Sequence, residues 1–165
     1  MRPLALALLL VACAAPGPPA SASASGLPRL VLRDVEVEPL ERPVAAIAIA
    51  FDAATGAELV AALPEGVDFA TQALVCVYLG ERPTSGWRLD LDSASLVDGE
   101  LQILARENTP RGDGGEPQPT YPADCALLNR EALPAGELAV RADDTISDEF
   151  IVSGSVVVPE SRDGP

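Results

Sequence analysis

The side chains able to do chemistry in this 165-residue chain are three cysteines, 25 carboxylates and 11 cations, all of them Arg. There is no His and no Lys. Ser-His-Asp and Cys-His triads, HExxH and other His-ligated metal sites are therefore excluded, as are Ser-Lys dyads, Schiff bases and the P-loop lysine. No neighbouring His or Lys is present to lower a thiol pKa, which argues against a nucleophilic Cys. Asp90, Asp92, Asp98 and the pair Asp143-Asp144 offer oxygen ligands of the kind Ca²⁺ takes, but no Asp-x-Asp-x-Asp-Gly loop exists to gather them. Asp90 and Asp92 read instead as the polar face of a strand shared with Arg88. Paired carboxylates for glycoside hydrolysis would want an aromatic-lined cleft, and the chain has one Trp. The net charge of −14 opposes sequence-independent nucleic-acid binding, which needs cations to displace the counterions of phosphate. No catalytic residue, metal or cofactor is expected.

The N-terminus carries more specific chemistry. After Arg2, Leu4 to Val11 is an unbroken apolar run, too short to span a bilayer and suited to the core of a signal peptide. It ends in Leu10-Val11-Ala12-Cys13, which resembles the bacterial lipobox, where the Cys is acylated and the preceding peptide removed. The alternative is an ordinary secretory signal with Cys13 incidental. Ala14 to Gly26 contains no large apolar residue and reads as a tether. The chain thus divides into a signal peptide over 1–12, a lipid-anchored linker over 13–29, one β-rich domain over 30–158 and a polar tail over 159–165. The lipobox resemblance implies a domain held outside the cytoplasm on the cell envelope, on the outer membrane if there are two. In that oxidising compartment Cys76 and Cys125 have two readings, a disulfide or a pair of buried thiols acting as small hydrophobes.

The elements that must position these residues are mostly strands. Leu30 to Glu38 alternates apolar and polar residues, Val44 to Phe51 is apolar throughout, and Leu74 to Leu79 is apolar on both faces, as a central strand would be. Trp87 to Asp92 and Leu101 to Arg106 flank the hairpin signal Asp98-Gly99. Further strands are expected over 121–128, 137–141, 145–153 and 155–158, with a polar Gly/Pro loop over 107–119. Ala53 to Leu63 is rich in helix formers and stops at Pro64, which predicts one short helix. The sum is a mainly β domain, an antiparallel Ig-like sandwich or strongly bent sheet with one accessory helix.

Between two of these strands lies Gly80-Glu81-Arg82-Pro83-Thr84-Ser85-Gly86-Trp87. Pro83 fixes φ, Thr84 and Ser85 can bond the local backbone, and Gly86 can reverse the chain. A rigid loop of this kind on a β-scaffold is either a binding element or a turn that only makes the geometry. As a binding element it would put Arg82, Pro83, Thr84, Ser85, Gly86 and Trp87 against a protein partner. Arg82→Ala is then expected to weaken binding with little change in the thermal midpoint.

The stretch from Val67 to Arg141 resembles the C-terminal domain of the PrcB family. The residues that carry the likeness are Val67-Asp68-Phe69, Leu79 to Trp87, the hairpin at Asp98-Gly99-Glu100, Thr109-Pro110 and Tyr121-Pro122. Thr-Ser-Gly-Trp stands where that family has Thr-Gly-Gly and an aromatic. The resemblance implies an exported, non-enzymatic subunit that binds and stabilises a protease. Arg82 to Trp87 and Gly112-Asp113-Gly114-Gly115 are also similar to two loops of the chagasin-like inhibitors of papain-type proteases. Arg82 replaces an Asn there, and the third inhibitory loop is missing, since Arg141 is followed by Ala142-Asp143-Asp144. A structural envelope lipoprotein is the remaining alternative. Arg111-Gly112-Asp113 matches the integrin tripeptide, a three-residue coincidence in a Gly-rich loop.

Overall fold

The computed structural model describes residues 29–110, 116–147 and 150–160. The signal peptide, Cys13 and the linker up to residue 28 lie outside the described residues, as do Arg111 to Gly115 and 161–165 of the tail. Among the described residues no helix is long and apolar enough to cross a membrane.

Among the described residues nine strands form two packed sheets. They are β1 (Arg29–Leu30), β2 (Leu32–Asp34), β3 (Ala46–Ala50), β4 (Gln72–Tyr78), β5 (Arg88–Val97), β6 (Glu100–Asn108), β7 (Ala123–Asn129), β8 (Gly136–Asp144) and β9 (Phe150–Val158). One sheet has the order β1-β5-β6-β8-β9 and the other β2-β7-β4-β3. All neighbours are antiparallel except β6 and β8. The chain leaves β6, crosses to the other sheet as β7 and returns as β8, so two reversals bring it back parallel.

The core follows from the period-2 alternation of each strand. Val75, Val77, Leu89, Leu91, Leu101, Ile103, Leu128, Leu138 and Val140 meet between the sheets. The opposite face of β4 is apolar as well. Leu74, Cys76 and Tyr78 pack with Leu127, Leu59 and Val60 under a cover of Val35, Val37, Leu63, Val67 and Phe69. Strand β4 is therefore buried on both faces, between β7 and β3, as its sequence requires.

Two elements depart from the sequence reading. Leu30 to Glu38 is a corner and not one strand: Leu30 pairs with Ala94 in the five-stranded sheet, and Leu32 with Leu128 in the other. Val31, between them, is 79% exposed. The chain thus seams the two sheets along one side. The predicted helix over 53–63 is a single turn, α1 (Ala53–Gly56), capped by Asp52 through its carboxylate to the Thr55 N–H at 2.8 Å. Tertiary pairing ends it, since Leu40 N–H bonds Leu59 O, Ala61 N–H bonds Glu38 O, and a bridge joins Pro39 to Val60. Burying Leu59 and Val60 against the sheet outweighs a weak helix preference in so short a segment.

The hairpin at Asp98-Gly99 has both residues at positive φ, 51° and 84°, as a two-residue turn between β5 and β6 demands. The strand predicted over 145–153 starts later, because 145–147 form a turn held by Asp144.

Candidate functional site: the braced 80–87 loop

The loop begins where β4 leaves the core. Gly80 has φ +76°, and a Cβ there would stand 2.8 Å from Ala45 N and 3.0 Å from Val44 C, both backbone atoms. Only glycine fits this close approach. Gly86, at φ +90°, makes the second reversal against Pro110.

Between the two glycines nearly every polar group is engaged within the fold. Arg82 and Thr120 exchange both backbone bonds, at 2.8 and 3.0 Å. The Ser85 N–H donates to Glu116 O at 2.9 Å, and the Ser85 Oγ accepts from the Glu116 N–H at 3.0 Å. The Thr120 hydroxyl donates to Thr84 O, and the Trp87 indole N–H donates to the Thr84 hydroxyl at 3.2 Å. The loop is a second short layer laid on the segment 116–120.

Arg82 is its anchor. Nε and Nη2 reach Glu107 Oε1 at 3.0 and 2.9 Å, Nη1 donates to Leu79 O at 2.9 Å, and the guanidinium lies over the Trp87 ring at 5.4 Å. Glu107 is held in turn, since its N–H donates to the Asp144 carboxylate at 3.1 Å, which also accepts from the Ser147 N–H and hydroxyl. Burial works to raise the Asp144 pKa, but these donors prevail and hold it below the usual carboxylate value. A cleft of about 280 Å³ opens beside the pair, walled by Arg82, Glu107, Asp144, Ser147 and Phe150.

The expectation that Arg82→Ala would spare the thermal midpoint is therefore corrected. The side chain is half-buried and braces the loop, and what faces outward is Pro83 and Gly86 with Glu81 and Arg88 alongside. Glu107, Glu116 and Thr120 were not legible as partners, because sequence carries no trace of which strand end lies under a loop.

Cys76 and Cys125 are joined in a disulfide, with Cα atoms 4.2 Å apart, at directly opposed positions of β4 and β7. The bond lies in the outer cluster of the four-stranded sheet. Next to it, Asp124 points between the sheets and accepts the Leu91 N–H of β5 and its neighbour's N–H at Cys125, both at 2.8 Å. Burial pushes its pKa up. A lone carboxylate in the apolar run 122–128 was the signal for this group.

The remaining carboxylates do not converge. Asp90 accepts from Asn108, Asp92 from Arg106 and Thr145, and Asp143 pairs with Arg141 at 2.7 Å. Asp98 sits in the hairpin turn. Among the described residues no group of three or more Asp, Glu, Cys or His is placed to hold a metal ion.

Fold and loop together define a disulfide-pinned, two-sheet β-domain that displays a loop braced by its own hydrogen bonds. Residues 73–129 match the family model described as PrcB C-terminal, and the resemblance read from the sequence holds over that stretch. It runs from β4 to β7 and contains the 80–87 loop, the β5–β6 hairpin and the disulfide. No curated protein and no solved structure matches the chain significantly. Of the features shared with chagasin-like inhibitors, the Gly112 to Gly115 loop lies outside the described residues. Arg141 to Asp144 form the end of strand β8, so no third loop stands at that position.

Proposed function

We propose that this chain is a non-catalytic accessory lipoprotein of the cell envelope that binds and stabilises an exported protease. The observation that carries the reading is the PrcB C-terminal match over 73–129, a family named for a subunit of a protease complex. The braced loop supports it. A surface whose backbone and polar side chains are fixed beforehand loses little conformational entropy on binding, which favours affinity. The contact face is the outer rim of the 82–87 loop, with Pro83 and Gly86 at its tip and Arg82, Thr84, Ser85 and Trp87 holding the shape beneath. Acylation at Cys13 tethers the domain, and the segment between Cys13 and β1 spaces it from the lipid surface.

Deleting the chain from its host should lower the steady-state level of one exported protease, and in-cell crosslinking should recover that same protease with the wild-type protein. Restoring the chain with the exposed Pro83 replaced by Glu should leave the lipoprotein abundant and the protease depleted. Unchanged abundance of every exported protease on deletion refutes the reading. Inhibition of papain by the intact chain would transfer the assignment to the inhibitor class.

A further inference from the structure

The two sides of the sandwich are unequal. On one, the β1–β2 corner seams the sheets. On the other, β3 and β9 are the last strands of their sheets among the described residues and run close to each other, with a groove of about 240 Å³ between them lined by Ile47, Ile49, Val140, Gly154, Ser155 and Val156. Strand β9 reads Phe-Ile-Val-Ser-Gly-Ser-Val-Val-Val, nine residues without a charge or a proline. Edge strands of soluble proteins are ordinarily guarded by such residues. In a chain of net charge −14, an unguarded edge of this length calls for a cover.

The sequence of β9 specifies which cover. It is a near-palindrome about Gly154, with Ser153 matched by Ser155, Val152 by Val156 and Ile151 by Val157. We infer that β9 is a self-recognition edge, at which a second copy of this chain adds antiparallel across a two-fold axis through Gly154. In that register Gly154 faces its own counterpart, Ser153 faces Ser155 and Val152 faces Val156 of the second copy. On either side of the central glycines the cross-strand pairs are then hydroxyl on hydroxyl and β-branched on β-branched, combinations that stabilise antiparallel ladders. The two-fold axis makes the contact isologous and self-limiting. No charge meets its like at the seam, which matters because every charged position in the strand would be doubled by symmetry. The symmetric core 152–156 lies clear of the bulge at Ile151, where the pairing with β8 skips a residue. Ser153, Gly154 and Ser155 are all exposed, and a Cβ added at Gly154 meets nothing within 4 Å. The joined copies would share one continuous ten-stranded sheet and close the groove beside β3.

The test uses the full chain in its native envelope. Gly154→Cys should give a covalent dimer on mild oxidation, several-fold more than Val31→Cys on the seamed side. Ser153→Cys should crosslink well only when co-expressed with Ser155→Cys. Gly154→Glu, which the fold has room for, should abolish the dimer seen on sedimentation of the detergent-extracted chain; Ser155→Glu serves should the first variant fail to fold. Raising the salt should strengthen the wild-type dimer by screening the charge each copy carries. A Gly154→Cys yield no greater than that of Val31→Cys overturns the inference. So does a wild-type chain that stays monomeric at high salt, or a dimer indifferent to Gly154→Glu.

Discussion

Arg82→Ala tests the claim that the 80–87 loop is braced from below. The substitution removes two bonds to Glu107, one to Leu79 O and the stacking on Trp87. It also strands a carboxylate whose side chain is only 22% exposed. Hydrogen bonds to charged groups contribute ~1.5–3 kcal/mol each when buried, and water reaching a quarter-exposed pair reduces that toward the lower bound. The carbonyl of Leu79 can recover a water in place of Nη1, so the expected net loss is about 2 kcal/mol. For a domain of this size that lowers the thermal midpoint by roughly 6–10 °C. Arg82→Lys should recover less than half, because a point charge cannot bridge Glu107 and Leu79 O together. The assay is calorimetry on the single variants Arg82→Ala and Glu107→Gln and on the double variant. If the pair is the brace, the double variant costs clearly less than the sum of the singles. Additive losses, or an Arg82→Ala midpoint within a degree of wild type, would refute the reasoning.

Further outcomes are expected from the disulfide, from Gly80 and from the two inward carboxylates, and one more from the lipobox resemblance at Cys13. Breaking Cys76–Cys125 by reduction should cost ~4 kcal/mol for a sequence separation of 49 residues, read as a lower urea midpoint; an unchanged midpoint contradicts it. Gly80→Ala should cost roughly 2–3 kcal/mol, because it meets both positive φ and a backbone wall, and normal stability would show that the loop can move. The two inward carboxylates should have opposite pH signatures. Asp144, lowered in the fold, contributes stability above the ordinary value of 3.8 that is lost as pH falls, so Asp144→Asn should hurt near neutrality and converge with wild type in acid. Asp124, raised in the fold, contributes in the reverse direction, so Asp124→Asn should be neutral or stabilising near pH 7 and lose that advantage on acidification; parallel pH profiles for the two variants would contradict both assignments. Finally, Cys13→Ser should leave the chain unacylated, released or unprocessed, as mass spectrometry of the envelope fraction would show.

Local chemistry alone fixed a good deal of this protein. Period-2 alternation placed the start of β5, the segments 101–106 and 137–141 were legible as strands, a doubly apolar run marked β4 as central, and Asp98-Gly99 signalled a tight turn, because those signals reside in neighbouring residues and in which backbone angles they permit. The Gly80 to Trp87 motif marked the loop and carried the resemblance to the PrcB C-terminal model, which matches over 73–129. Tertiary structure decided the rest. Alternation says that a residue faces inward but not toward which sheet, so Leu30 and Leu32 could be assigned to different sheets only once both had formed. The helix over 53–63 gave way after one turn because strand-like bonds to 38–40 and burial of Leu59 and Val60 outweigh propensity. Two cysteines 49 residues apart became partners through the β4–β7 register, which is set by the whole ladder. Arg82, read from the sequence as a candidate partner contact, proves to be a brace as well, for the same reason: its partners, Glu107 and Leu79 O, lie where only the packed sheets bring them.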